Sequence, residues 1–457
     1  MKIVVIGAVA GGATVSSQIR HFLSDADITL IGKDSELGFG TCGMPYVLGG
    51  LIDSEEDLVH ATPEGFSEKK SIDVRLLHEA TKIDRATKKV HICNLETGQT
   101  DELPYDKLVL SPGGRARKPA VPGKPDIPMF TLRHFGDLGQ FKSFLDEQKP
   151  ASCLVIGGGF IGVELAENFR HRGIETALVE HNDHVMPIGD EDMSDLLAEE
   201  MERNGVRLHL GRELKMIDGR RITLDDGTEL EADFIATAVG LEPNTLLAKE
   251  AGIEIGPTGG IATDPFMRTN DPDIYAIGDA AEVKDWFTGK PKRVPLSWPA
   301  HRAAFIVANH LAGGDTEMDG MLGTSITKLF SLTAGMTGMT EKMLKKEGMA
   351  YKTVIHKSRS NAGYYPDSGK LVLKVHYDPD TRAIYGAQAV GEKGADKRID
   401  VIATAIRGGL TVDDLSAIET AYAPPYGSPS EAFINTDGKA CYTVSECCIW
   451  YYVLTKH

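Results

Sequence analysis

The chain begins with an unbroken apolar run, "IVVI" (3–6), that meets glycines at Gly7, Gly11 and Gly12. It then passes into "ATVSSQIR", where apolar residues recur at helical spacing. A short apolar run closed by a turn signal reads as a buried strand, and the periodic stretch after it as a helix. The succession returns at 151–180, "ASCLVIGGGFIGVELAENFRHRGIETALVE": strand, glycines, helix, strand. Three further apolar runs end in glycine: "YDKLVLSPGG" (105–114), "DFIATAVGLEPNT" (233–245) and "TNDPDIYAIGDAAE" (269–282). Toward the C-terminus, "KLVLKVHYDPDTRAIYGAQAVG" (370–391) alternates about an Asp-Pro-Asp turn and predicts a hairpin. "DKRIDVIATAIRGG" (396–409) predicts an amphipathic helix ending at Gly408. The two strand–glycine–helix units are the internal repeat of the chain.

The glycines give that repeat its chemistry. Between a strand and a helix they let backbone approach a pyrophosphate, and the helix N-terminus offers free N–H groups and a favourable dipole. The second unit matches G-x-G-x-x-G in full, at Gly157, Gly159 and Gly162. Its next strand, "TALVE", ends in Glu180, 23 residues after Gly157. That carboxylate suits a ribose diol and repels a 2′-phosphate, so NADH is favoured over NADPH. The first unit departs from the pattern twice. Val9 replaces the middle glycine, and "DITLIGKD" ends in Gly32 where a ribose-holding acid is expected, with Asp34 as its substitute. Two nucleotide turns imply two dinucleotides.

Composition narrows the partners. A chain of 457 residues is long enough for about two to four domains with full cores. A formal net charge of -17 argues against nucleic acid and anionic membrane surfaces. No signal peptide is predicted, since a strand pattern begins at Lys2, and no apolar run nears the ~20 residues of a membrane helix. The tail "CIWYYVL" (448–454) is too short for one. Six cysteines, Cys42, Cys93, Cys153, Cys441, Cys447 and Cys448, suggest reduced thiols and a cytoplasmic setting rather than a disulfide framework. No residue is assigned to a metal.

In their order along the chain, the two glycine turns, the Gly278-Asp279 pair and the two glycine-ended strands resemble the pyridine nucleotide-disulfide oxidoreductases. The resemblance implies FAD at the first turn, with Gly7, Gly11, Gly12 and Asp34, and with Asp279 on the ribityl chain. It implies NAD(P)H at the second turn, with Phe160 as a gate and Glu164 near the nicotinamide. Residues 105–114 and 233–245, carrying Gly113 and Gly240, match the strands that cross between the two domains. The implied fold is α/β: two Rossmann-like dinucleotide-binding domains, for FAD and NAD, and a C-terminal α/β dimerisation domain. On this chain the FAD domain maps to 1–113 and 245–324, the NAD(P)H domain to 114–244, and the dimerisation domain to 325–457 with an extra tail from about 440.

"GFGTCGMPYVLGG" (38–50) selects the branch. Two-cysteine members carry C-x4-C here, whereas Val47 stands at the partner position of Cys42. The single-cysteine branch holds NADH oxidases, NADH peroxidases, coenzyme A-disulfide reductases and persulfide reductases. "GAVAGGAT", "CGMPY", "VPLSWPAHRAA", "GYYPDSG", "GEKGADKRIDV" and "AYAPPYGSP" are most similar to the coenzyme A-disulfide reductases. Oxidases and peroxidases place a histidine inside the first turn, where this chain has Ala10.

The resemblance implies that Cys42 attacks the disulfide and that the substrate supplies the second sulfur, as Cys42–S–S–CoA. Tyr364 and Tyr422 would reach Cys42 from the partner subunit of a homodimer, where a phenol can protonate a leaving thiolate. Gln18, His21, Thr41 and Lys70 match coenzyme A contacts. His21 stands for an arginine of that branch, and Gly38 and Thr41 also differ from it. The alternatives are an NADH oxidase or peroxidase, a persulfide reductase, and a flavin-bound redox sensor without turnover. The vicinal Cys447-Cys448 pair resembles the C-terminal pair of mercuric reductases and is read as an idle extension.

Overall fold

The N-terminal apolar run folds as the strand Lys2–Ile6, the centre of a five-stranded parallel sheet in a computed structural model that describes residues 1–428. Across that sheet the order is Ile72–Arg75, Asp27–Ile31, Lys2–Ile6, Lys107–Leu110, Ile274–Ala276. All four pairings are parallel, from Ile28↔Ile72 through Lys2↔Asp27 and Ile3↔Lys107 to Ile274↔Leu108. Ile3, Val4 and Val5 are all buried, so both faces of the central strand are covered, as parallel sheets require. On one face the helices Ala10–Phe22 and Ser297–Leu311 pack together, with the rings of Phe22 and Phe305 5.8 Å apart. The strands therefore end together at one edge, where open parallel sheets hold ligands.

Two compact units emerge from the fold. The first comprises 1–157, 168–176 and 214–321, and the second 158–167, 177–213 and the chain from Leu322 on. Beyond the sheet just described, the first unit holds an antiparallel sheet of His78–Asp84, Lys89–Asn94 and Thr100–Pro104. It also holds the parallel run Met129–Phe130, Phe234–Thr237, Ser152–Ile156. An aromatic cluster seals that run: Phe130 stacks on Phe141 at 4.3 Å, and Phe234 meets Phe141 and Phe169 edge-on. Phe141, Phe169 and Phe234 are fully buried, each worth about 1.5–3 kcal/mol of apolar transfer.

In the second unit the sheet runs Ser325–Leu329, Leu332–Gly338, Ile384–Gly391, Lys370–Tyr377, Lys352–Arg359, antiparallel throughout. The predicted hairpin is its Lys370–Tyr377/Ile384–Gly391 pair. The predicted helix spans Ala395–Arg407 and ends at Gly408, starting one residue earlier than its sequence pattern. It buries Ile399, Ile402 and Ile406 on the sheet, against Gly335, where a side chain would stand 2.9 Å from Ile399. The tail from about 440 and its Cys447-Cys448 pair lie outside the described residues. Among those residues no helix is long and apolar enough to cross a membrane, and no group of His, Cys, Asp and Glu could hold a metal.

One charged cluster is buried within the second unit. Asp190, which precedes the helix Glu191–Arg203, accepts from Lys374 Nζ at 3.0 Å and His376 Nε2 at 2.7 Å. Its other oxygen accepts from the Glu341 N–H at 2.8 Å, and Thr353 Oγ1 is hydrogen-bonded with His376 Nδ1 at 2.8 Å. These partners hold the Asp190 carboxyl at about 2 although burial opposes the charge. The side chains of Lys374 and Asp190 are 4% and 2% exposed, so neither charge can fall back on water. Lys374→Met should therefore cost about 3–5 kcal/mol in urea unfolding. The double variant Asp190→Asn/Lys374→Met should recover most of it, and equal losses in the two would show that the ion pair is not the cause.

Candidate active site

At the carboxyl edge of the parallel sheet, the first glycine turn is closed by backbone rather than by side chains. A Cβ on Gly12 would lie 1.6 Å from the Gly7 carbonyl oxygen, and one on Gly7 2.0 Å from that of Ser111. Ser111 and Gly113 follow the strand Lys107–Leu110, and Gly278-Asp279 follows Ile274–Ala276, so both enter the same edge. Arg133 joins them: Nη2 donates to Asp279 at 2.7 Å, Nε donates to the Gly114 carbonyl at 2.9 Å, and a side chain at Gly113 would touch Nη2. The structure thus brings Gly7, Gly11, Gly12, Gly113, Gly278 and Asp279 together. Gly240 sits on the matching crossover, where its carbonyl accepts from Arg117 and Gly114–Ala116 pairs with Leu241–Pro243.

Both departures in the first unit have local explanations. Val9 supplies the carbonyl that accepts the first helical N–H, from Ala13, so the helix starts without the middle glycine. A Cβ at Gly32 would lie 2.6 Å from that of Ala8, which leaves no room there for an acidic side chain. The next acid along the chain is Asp34, two residues later, with His134 Nδ1 at 3.2 Å. The Asp34 carboxylate raises the His134 pKa through this hydrogen bond. Arg133 and His134 escaped the sequence reading. "TLRHFGDL" shows a helix start, yet no spacing within it points to Asp279, 146 residues away, or to Asp34.

The helix Phe160–His171, of which residues 160–167 belong to the second unit, carries Phe160 at its first position and buries Gly162 in its first turn. A Cβ on Gly159 would meet nothing within 4 Å, which leaves an open cradle beside the turn. Glu180 folds back onto the turn: Oε2 accepts from the Gly158 N–H at 2.6 Å and Oε1 from the Asn182 N–H at 2.8 Å. Glu164 accepts from the Thr327 hydroxyl at 2.9 Å, and burial raises its pKa to about 7. Gly157, at the end of the strand Ser152–Ile156, belongs to the first unit.

Cys42 lies on a single turn, Thr41–Gly43, immediately before the helix Met44–Gly49, and is exposed. The hairpin before it, Leu37–Phe39 with Val59–Ala61, is tied to the first glycine turn by the Gly38 N–H, which donates to the Ala8 carbonyl at 3.0 Å. Cys93 is half-buried and Cys153 buried, and all three thiols are free. Burial pushes the Cys153 thiol up to about 12, so it is inert. Lys70 Nζ donates to the Ser17 hydroxyl at 2.7 Å, one residue before Gln18 and one helical turn before His21. Arg20 holds that end in place by donating to the carbonyls of Lys70 and Ser71. Thr41 is sequence neighbour to Cys42. Tyr364 and Tyr422 are brought together in the second unit, their hydroxyls 3.1 Å apart and both rings exposed.

Residues 1–303 match the family profile described as pyridine nucleotide-disulphide oxidoreductase, and 324–433 match the dimerisation domain of the same family. The coenzyme A disulfide reductase of Staphylococcus aureus (strain JH9) is 39% identical over 438 residues, covering 96% of this chain and 99% of that protein. Among solved structures, reduced Bacillus anthracis CoADR-RHD is 40% identical with a TM-score of 0.92, covering 94% of this chain and 78% of that one. A NAD-dependent persulfide reductase from A. fulgidus is 36% identical with a TM-score of 0.90, over 94% and 81% of the two chains.

The raised Glu164 pKa has a stability consequence whose sign is fixed. Its neutral form is favoured by the fold, so the contribution is complete below the unfolded value near 4.5 and is lost as pH rises through about 7. Urea unfolding at pH 5 and pH 8 should show wild type losing about 2–3 kcal/mol relative to Glu164→Gln, which mimics the neutral acid. Parallel pH profiles for the two proteins would overturn this account.

Proposed function

The chain belongs to the pyridine nucleotide-disulphide oxidoreductase family, and from that premise we propose that it reduces coenzyme A disulfide through Cys42 alone, using NADH in preference to NADPH. The observation that carries this reading is an exposed, free Cys42 whose hairpin is tied by Gly38 to the first glycine turn. FAD would occupy the 1–113/245–324 domain and the nicotinamide dinucleotide the 114–244 domain, with dimerisation from residue 325.

The donor sets fit both groups. Asp279 and Asp34 present carboxylates to the hydroxyls of a ribityl chain and a ribose, with Gly7, Gly11, Gly12, Gly113 and Gly278 keeping side chains off the path. Arg133 holds the Asp279 carboxylate in place. The cradle at Gly159 and the carboxylate of Glu180 fit a dinucleotide without a 2′-phosphate. When bound, the flavin supplies a two-electron relay between reduced nicotinamide and sulfur.

The Cys42 thiolate attacks one sulfur of the disulfide, forming Cys42–S–S–CoA and releasing one CoA thiolate. Tyr364 or Tyr422 of the partner subunit in a homodimer protonates that leaving thiolate and recovers its proton from solvent. Two electrons from the nicotinamide then cleave the mixed disulfide, freeing the second CoA and restoring the Cys42 thiolate. Lys70, Gln18, His21 and Thr41 take the anionic substrate. With His21 in place of an arginine, one fixed positive charge is missing from that set. The six cysteines suit a reducing, cytoplasmic setting. A persulfide of coenzyme A is a second reading, favoured by the likeness to the A. fulgidus persulfide reductase. The same Cys42 attack serves it.

Intact-protein mass spectrometry of the oxidised enzyme should show one CoA adduct, released by dithiothreitol and absent from Cys42→Ser. That variant should keep its FAD and accept hydride from NADH while disulfide reduction falls to background. Normal turnover of CoA disulfide by Cys42→Ser would sink the mechanism. For the nucleotide, kcat/KM should be higher with NADH, and Glu180→Arg should shift the NADH/NADPH ratio at least about tenfold toward NADPH, a change of ~1.4 kcal/mol. An unmutated enzyme that prefers NADPH would remove the role given to Glu180.

A further inference from the structure

Just before the helix Phe135–Gln148, two consecutive side chains reach two different carboxylates of the first unit. Arg133 donates to Asp279 at 2.7 Å, and His134 meets Asp34 at 3.2 Å. Asp137 sets that divergence. Its Oδ2 accepts from the N–H groups of both Arg133 and His134, each at 3.0 Å, within the capping box that opens the helix. With no room for an acid at Gly32, Asp34 is the first carboxylate after the strand Asp27–Ile31.

The two contacts differ in kind. An arginine keeps its charge at every working pH, whereas a histidine titrates near neutrality. A carboxylate only accepts, so His134 Nδ1 carries the hydrogen in its contact with Asp34 Oδ2. Asp34 Oδ1 has no hydrogen-bond partner among the described residues, and the side chain is 25% exposed. One oxygen is held and the other is open to a hydroxyl. Few other charges face the imidazole. Lys33, beside Asp34, is paired with Glu79 at 2.7 Å, and Arg133 and Asp137 flank His134 on its own segment. The helix Met44–Gly49, packed against Phe135–Gln148, carries no charged residue, and Glu55 approaches at Gly139, more than a turn further on. The Asp34 hydrogen bond raises the His134 pKa, with help from Asp137 and against burial and the Arg133 charge.

We propose that His134 is a cofactor-positioning residue whose imidazolium holds Asp34 on the ribose of bound FAD, so that the flavin leaves more readily once the imidazole is neutral. This rests on the reading above that FAD occupies this domain with Asp34 at its ribose. With His134 charged, the two side chains form a neutral pair. With His134 neutral, an uncompensated carboxylate faces a ligand that carries a pyrophosphate dianion. Protonation and FAD binding therefore favour one another. The sign follows: retention is strongest below the ordinary histidine value of about 6.5 and weakens as pH rises through the higher value in the fold. Arg133 and Asp279 keep their charges over that range, so only the ribose contact loosens.

The test is FAD release from the diluted holoenzyme, followed by flavin fluorescence at about pH 6 and about pH 9. Wild type should release FAD at least about threefold faster at the higher pH. His134→Gln, a neutral donor, should release at the fast rate at both pH values. His134→Arg, a fixed cation, should release at the slow rate at both. A merely structural part for His134 would speed release alike in the two variants and leave the pH dependence in place. The proposal is overturned if wild type releases FAD equally at both pH values, or if the Gln and Arg variants release it alike. Asp34→Asn tells this failure from that of the ribose reading, and it should release FAD quickly at both pH values. Release at the wild-type rate throughout would remove Asp34 from the ribose and the proposal with it, and a protein that takes up no flavin refutes both. Fast release from Asp34→Asn beside His134 variants that match wild type would overturn the proposal alone.

Discussion

The first unit depends on one backbone contact, the approach of the Gly12 position to the Gly7 carbonyl. No residue with a Cβ can occupy that helix position, since the carbon would sit 1.6 Å from oxygen. That closeness lets the helix Ala10–Phe22 start directly over the end of Lys2–Ile6, which sets where its N–H groups point. Ala8, inside the same turn, then controls two neighbours. Its carbonyl takes the Gly38 N–H and so fixes the hairpin that leads to Cys42, and its methyl excludes any side chain at Gly32. The position of the exposed thiol and the lack of an acidic side chain at Gly32 follow from the same turn.

The second unit is organised by charge and amide placement instead. Asp190 lies at the end of the loop that begins at Glu180, and four groups hold it: Lys374, His376, the Glu341 N–H, and, through its own N–H, Gln388 Oε1, with Thr353 supporting the histidine. Burying Lys374 and Asp190 gains little net stability against apolar replacements of the same shape, but losing one partner is severe. The arrangement therefore specifies where the loop ends more than it strengthens the fold. Gln388 belongs to the same order, since its amide oxygen is spent on the Asp190 N–H.

Much of this was legible in the sequence because the glycine turns, the glycine-ended strands and the C-terminal hairpin are local patterns. Continuous apolar runs identified the buried parallel strands, and alternation identified the antiparallel pair Lys370–Tyr377/Ile384–Gly391. The α/β class followed from the order of those elements. What stayed hidden were contacts between residues far apart in the chain. Arg133 sits in an unremarked helix start and finds Asp279 only after the sheet has assembled, and His134 finds Asp34 across 100 positions. Gly32 looked like a missing acid from its position alone. Its cause is steric, and only the methyl of Ala8 above it reveals that.

Two carboxylates of the second unit show how environment divides the work of one residue type. Glu180 is buried yet meets three N–H donors, from Gly158 and twice from Asn182, which suit an ionised acceptor. Glu164 accepts from the Thr327 hydroxyl, and burial raises it to about 7. A carboxylate held by fixed N–H donors is prepared to exchange one of them for a hydroxyl of similar strength, as in binding a diol. A carboxyl near its titration point can instead donate or accept as its partner changes. Glu167, fully buried one turn after Glu164 on the same helix, is paired with Lys328 at 2.6 Å. Three acidic residues of the second unit therefore meet different partners, and it is the groups packed against each that set the hydrogen bonds it can make.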